Sequence, residues 1–217
     1  MKEIRLAETA GFCFGVNRAV DLVYSLVENG EKVSTLGPII HNNQVVSDLN
    51  LKGVRVISSP CECEKGYKIV IRTHGVEKSV IEDIESRDIP YVNATCPFVL
   101  KIHKIVSERQ PGGVTLIAGD AGHPEVLGIR SFCTGESYVF RNEAELLEII
   151  KSHNIAQKND VICVSQTTFS LEEWKKCEKI LKKVCTNCEI FATICNATSD
   201  RQQEAYALSK ECDAMVV

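Results

Sequence analysis

Short β-branched runs alternate along this chain with amphipathic stretches of about ten to fifteen residues, and that alternation limits the fold more than any other feature. Residues 68–71, 114–117, 161–164 and 189–192 read as strands. Residues 17–28, 77–86, 98–109, 171–184 and 198–210 read as helices. Repeated strand–helix units build parallel sheets covered by helices, so the expected class is α/β. The 217 residues are 44% hydrophobic, enough apolar mass for a real core. The net charge is −4, with Lys and Arg scattered and no basic stripe, which argues against nucleic acid as a partner. No run approaches the roughly 18 apolar residues of a membrane span. The opening Met1-Lys2-Glu3-Ile4-Arg5 lacks an apolar signal core and reads as the first strand of a cytoplasmic protein.

The strand-to-helix junctions carry the chemistry. Gly11-Phe12-Cys13-Phe14-Gly15 comes first, and His41-Asn42-Asn43 precedes the second helix. Arg72-Thr73-His74-Gly75, Asn93-Ala94-Thr95-Cys96-Pro97 and Gly122-His123-Pro124-Glu125 follow. Ser165-Gln166-Thr167-Thr168 and Thr193-Ile194-Cys195-Asn196-Ala197-Thr198 complete the set. All seven junctions thus carry Cys, His or hydroxyl residues. In open α/β sheets they lie at the carboxyl ends of strands, where ligands bind. Helix N-termini there offer free N–H groups and partial positive charge, which suit thiolates and phosphates.

Eleven cysteines are many for such a chain, and an odd number without a signal peptide argues against a secreted disulfide framework. Cys13, Cys96 and Cys195 stand at junctions, with 82 residues between the first two and 98 between the last two. Each is therefore placed to come from its own strand–helix lobe, although similarity between the lobes is too faint to read as a repeat. Three thiolates on one face suit either zinc or an iron–sulfur cluster, and their spacing does not choose between them.

The junction segments resemble those of the LytB family of hydroxymethylbutenyl diphosphate reductases. The resemblance rests on residues 11–19, His41-Asn42, Thr73-His74-Gly75-Val76, Ala94-Thr95-Cys96-Pro97, Gly122-His123-Pro124-Glu125-Val126, Gln166-Thr167-Thr168, 194–198 and Arg201-Gln202, in order through the chain. It implies a trefoil of three small α/β lobes around a central [4Fe–4S] cluster held by Cys13, Cys96 and Cys195. The lobes would be residues 14–96, residues 97–192, and an incomplete third made of 1–13 with 193–217. Residues 213–217 read as a strand before a further junction, which in the family brings Ser and Asn residues to the substrate. The implied reaction reduces an allylic alcohol diphosphate to isopentenyl and dimethylallyl diphosphates, with ferredoxin or flavodoxin as electron donor. By the same resemblance, His41, His74 and His123 bind the diphosphate, Glu125 donates a proton, and Thr167 holds the hydroxyl and relays. Thr168 and Thr198 line the pocket.

Other readings stand beside these. An isolated His is more often a polar loop residue than a ligand. His103 and His153 read as surface histidines. Cys185-Thr186-Asn187-Cys188 and Cys61-Glu62-Cys63 have the look of a zinc site. The former, however, lies between a helix and the next strand, on the edge of the sheet away from the junctions. Cys133, Cys163, Cys177 and Cys212 read as packing residues, and the lysines of 171–184 as a solvated face. A non-catalytic metal-binding or regulatory module and a zinc-dependent phosphate-ester hydrolase remain as alternative functions.

Overall fold

A computed structural model of the chain describes residues 4–216. A first parallel sheet contains β1 (Val33–Leu36), β2 (Arg55–Ile57), β3 (Lys68–Ile71) and β4 (Tyr91–Asn93), in the order β2-β1-β3-β4. Its helices are α1 (Phe14–Glu28), α2 (Asn43–Leu51) and α3 (Lys78–Ser86). A second parallel sheet repeats that order as β6-β5-β7-β8, from β5 (Val114–Ala118), β6 (Glu136–Phe140), β7 (Val161–Ser165) and β8 (Cys188–Ile190). It packs with α4 (Pro97–Ser107), α5 (Pro124–Phe132), α6 (Glu143–Ser152) and α7 (Leu171–Val184). Last comes α8 (Asn196–Glu211).

Burial follows from this layering. The inner strands β1, β5 and β7 are buried at every residue, as a parallel strand with helices on both faces must be. The edge strands β2, β4 and β8 are half open and only three residues long. Each sheet has two apolar layers. Val20, Val23 and Leu49 cover one face of the first sheet, and Val76 and Ile84 the other. On the second sheet, Leu146, Trp174 and Leu181 oppose Ile102, Val106 and Ile129.

The three-lobed expectation is met by two four-stranded sheets and a third element without strands. That element is α8, which has no buried residue and is tied to the segment before α1 by polar contacts. Arg5 pairs with Glu211 at 2.9 Å, and Arg201 donates to the carbonyls of Thr9 and Gly11 at 3.2 and 2.7 Å. Glu204 accepts the Thr9 amide at 2.8 Å and also the Thr9 hydroxyl.

The expected strands at 1–5 and 213–217 are not found: Ile4, Arg5 and residues 213–216 belong to no strand, while 1–3 and 217 lie outside the described residues. A strand persists only where a neighbour satisfies its N–H and C=O groups, and neither sheet takes the described part of either segment as a strand. The strand expected at 189–192 is seated earlier, at Cys188–Ile190. No helix among the described residues is long and apolar enough to cross a membrane.

Candidate functional site

Cys13, Cys96 and Cys195 are the N-cap residues of α1, α4 and α8, and none of the three side chains caps its helix. A Ser or Asp at an N-cap ordinarily folds back onto the first-turn amides, whereas these thiols are left to the cavity they jointly line. Several contacts fix the convergence. The Cys96 amide donates to the Thr73 carbonyl at 2.9 Å, and the Cys195 amide to the Thr167 carbonyl at 2.8 Å. Arg18 of α1 donates to the Thr95 carbonyl at 3.2 Å. Gly15 brings the first turn of α1 against the second thiol, since a Cβ there would lie 2.5 Å from Cys96 Sγ. Burial pushes the Cys96 thiol up, the nearby amides of Phe98 and Val99 oppose this without closing a capping bond, and Cys13 and Cys195 push it up again. Gathered thiolates repel until a cation compensates them.

The cavity is about 370 Å³ and also takes His74, Glu125, Thr167, Thr168 and Thr198. The three junction histidines form a row beside it, with ring centroids 5.3 Å apart for His41–His74 and 5.5 Å for His74–His123. His74 is held neutral, at about 4, by burial first and then by the charges of His123, His41 and Arg72. Burial also lowers His123, although Asp120 opposes it. His123 is the N-cap of α5, and its Nδ1 accepts the Glu125 amide at 3.1 Å. The neutral ring therefore carries its proton on Nε2, pre-set as a donor.

Glu125 is 1% exposed. Its Oε1 accepts the Thr167 amide at 2.6 Å and its Oε2 the Thr167 hydroxyl at 2.7 Å. Burial raises this carboxyl, and the two Thr167 bonds work against the rise. The result is a buried carboxyl at the cavity wall, bonded to the hydroxyl beside it, a suitable arrangement for proton transfer. Thr168 Oγ1 accepts from Gln166 Nε2 at 2.8 Å, and the Thr198 amide donates to the Cys195 carbonyl at 3.0 Å.

Sequence reasoning misplaced one histidine. His103 is buried, not superficial: it stacks on Phe132 at 4.4 Å and packs against Gly75 and Gly128. The signal was present, because Val99, Ile102, His103 and Val106 recur at helical spacing and make the buried face of α4. His153 is exposed. Also unassigned were Gly15 and Phe98 in the cavity wall, and Glu204, one turn beyond the matched Arg201-Gln202. Cys61 and Cys63 lie in and after a 3₁₀ turn following β2, whereas Cys185 and Cys188 belong to the second sheet. No group of three His, Cys, Asp or Glu among the described residues is arranged to hold a single metal ion.

Residues 4–217 match the family model described as LytB protein. The 4-hydroxy-3-methylbut-2-enyl diphosphate reductase of Caldanaerobacter subterraneus subsp. tengcongensis is 41% identical over 221 residues, covering 99% of this chain and 74% of that protein. Its counterpart in Alkaliphilus oremlandii is 38% identical, covering 99% and 76%. A solved (E)-4-hydroxy-3-methyl-but-2-enyl diphosphate reductase superposes with a TM-score of 0.78 at 36% identity, over 98% of this chain and 75% of that one. The reductase of Plasmodium falciparum shares the fold at a TM-score of 0.82 and 24% identity. The chain thus spans about three quarters of the length of these bacterial relatives, and it belongs to the LytB family.

Proposed function

We propose that the protein reduces (E)-4-hydroxy-3-methylbut-2-enyl diphosphate to isopentenyl and dimethylallyl diphosphate, with a [4Fe–4S] cluster held by Cys13, Cys96 and Cys195. One observation carries the reading: three uncapped thiols at three helix N-termini line the same cavity as the buried Glu125–Thr167 pair. Reductases of that name at about 40% identity support it. The donor set fits a cluster, being all sulfur and set at three helix N-termini. When bound, the cluster supplies electrons one at a time and a Lewis-acidic iron. Ferredoxin or flavodoxin is the proposed electron source, in the cytoplasm.

The chain's own residues do the rest. The Nε2–H of His123, with His41 and His74, donates to the diphosphate beside the N-terminus of α5. The reaction breaks the allylic C–O bond, consumes two electrons and two protons, and releases water. A hydroxyl leaves poorly as hydroxide, so Glu125, whose carboxyl burial raises, takes up a proton and, with the bond to Thr167 reversed, passes it to Thr167 Oγ1, whose own proton goes to the departing oxygen. Thr168 and Thr198 close the wall. The test is anaerobic reconstitution with iron and sulfide, followed by turnover of the substrate with a reduced viologen dye. Protein that retains zinc instead of a cluster, or that holds a cluster without reducing the substrate, sinks the proposal.

A further inference from the structure

The histidine row offers hydrogen bonds but little fixed charge, because burial keeps His74 and His123 toward the neutral form. A diphosphate is multiply anionic near neutral pH. An unspent cation is Arg72, the residue after β3 and two before His74. Its Nε is buried without a hydrogen-bond partner, and among the described residues no ion pair engages its guanidinium. Burial pulls it below its ordinary value, as expected of a cation without a counter-ion. The group lies in a slot made by a missing side chain: a Cβ on Gly37 would sit 2.8 Å from Nη1 and 3.5 Å from Cδ and Cζ. It borders a second cavity of about 340 Å³ shared with Ser58, Glu77 and Pro124. The carboxylate there, Glu77, is exposed. Pro124 adjoins His123, and the Arg72 charge is felt at both His74 and His123.

An unpaired, half-buried cation is costly, and its cost falls when an anion arrives beside it. Resting on the functional reading above, we propose that Arg72 is the fixed positive charge that selects the diphosphate group, acting from behind the His74–His123 edge. It is a specificity-determining residue, distinct from the proton-transfer pair.

The experiment uses the cluster-loaded protein and inorganic diphosphate as the probe, titrated calorimetrically at low and raised salt. Arg72→Met is expected to weaken diphosphate binding by about tenfold or more, in line with the loss of one charge-assisted interaction, and to flatten its salt dependence. In turnover the loss is expected in KM, with kcat little changed. Arg72→Lys keeps the charge and is expected to recover affinity to within about threefold. An unaltered affinity in Arg72→Met overturns the proposal. So does an Arg72→Lys as weak as Arg72→Met, which would trace the loss to packing on Gly37. Wild-type protein that binds no diphosphate overturns this inference and the reductase reading together. Normal wild-type binding with an indifferent Arg72→Met removes Arg72 alone. If Arg72→Met fails to fold, Arg72→Gln replaces it under the same criteria.

Discussion

Cys13, Cys96 and Cys195 stand at helix N-termini with their thiols turned to a cavity, whereas Cys163, Cys177, Cys185 and Cys188 pack into the apolar layer between β7, β8 and α7. The packed set is the denser one and includes the only Cys-x-x-Cys spacing in the chain. Burial nonetheless pushes Cys177 up to about 11 and Cys188 up to about 12, and holds Cys163 well above its ordinary value. Such thiols stay protonated near neutral pH and behave as small hydrophobes. The Cys188 amide donates to the Cys185 carbonyl at 3.1 Å, closing a turn at the start of β8, on the edge opposite the junctions. Position relative to a helix N-terminus, and not local cysteine density, separates cavity-lining from packed sulfur here.

The largest expected effect tests that contrast directly. Cys96→Ser should abolish cluster retention and turnover, while Cys185→Ser should leave iron content and rate near wild type. Iron and sulfide analysis after anaerobic reconstitution decides it, and equal loss at Cys185 would break the comparison. Next comes Glu125→Gln, which keeps shape but removes the acidic proton. It should retain the cluster and lose about 10²–10⁴-fold in turnover. A near-normal rate with an intact cluster would reduce Glu125 to a first-turn helix residue. Thr167→Val removes one of the two Thr167 bonds to Glu125 and leaves the amide bond. Its loss should be milder, about tenfold, and a loss equal to that of Glu125→Gln would make the hydroxyl an obligatory carrier.

Much of the candidate site was legible in the sequence because its residues gather at junctions. Residues that follow a β-branched run and open a helix are forced to the carboxyl edge of a parallel sheet, whatever the details of packing. The repeated strand order of the two sheets was not legible. Strands as short as Arg55–Ile57 and Tyr91–Asn93 give no periodicity, and the equivalence lies in topology and not in side chains. The clamp of Glu204 on Thr9 was hidden for a different reason, since it joins residues 195 positions apart. His103 was misread because its residue type was weighed above its helical phase.

Histidines divide as the cysteines do, between aimed and packed, and His103 gives the smallest expected effect. It is buried to 6% exposure, stacks on Phe132, and leaves Nε2 without a partner. Burial lowers it from 6.5 to about 4. A folded-state value below the unfolded one means that the unfolded chain binds the proton more readily. Proton linkage at His103 therefore costs nothing above pH 6.5, and stability is lost as the pH falls from 6.5 toward 4, by ~3 kcal/mol in full. His74 acts with the same sign, but its partial exposure weakens its share. Urea unfolding of the reduced apoprotein across this range should show the acid loss in wild type and a shallower slope in His103→Leu, whatever the packing change does to stability at neutral pH. A slope unchanged in His103→Leu would move the acid sensitivity to His74 and the site, and would make the division between aimed and packed histidines a matter of exposure alone.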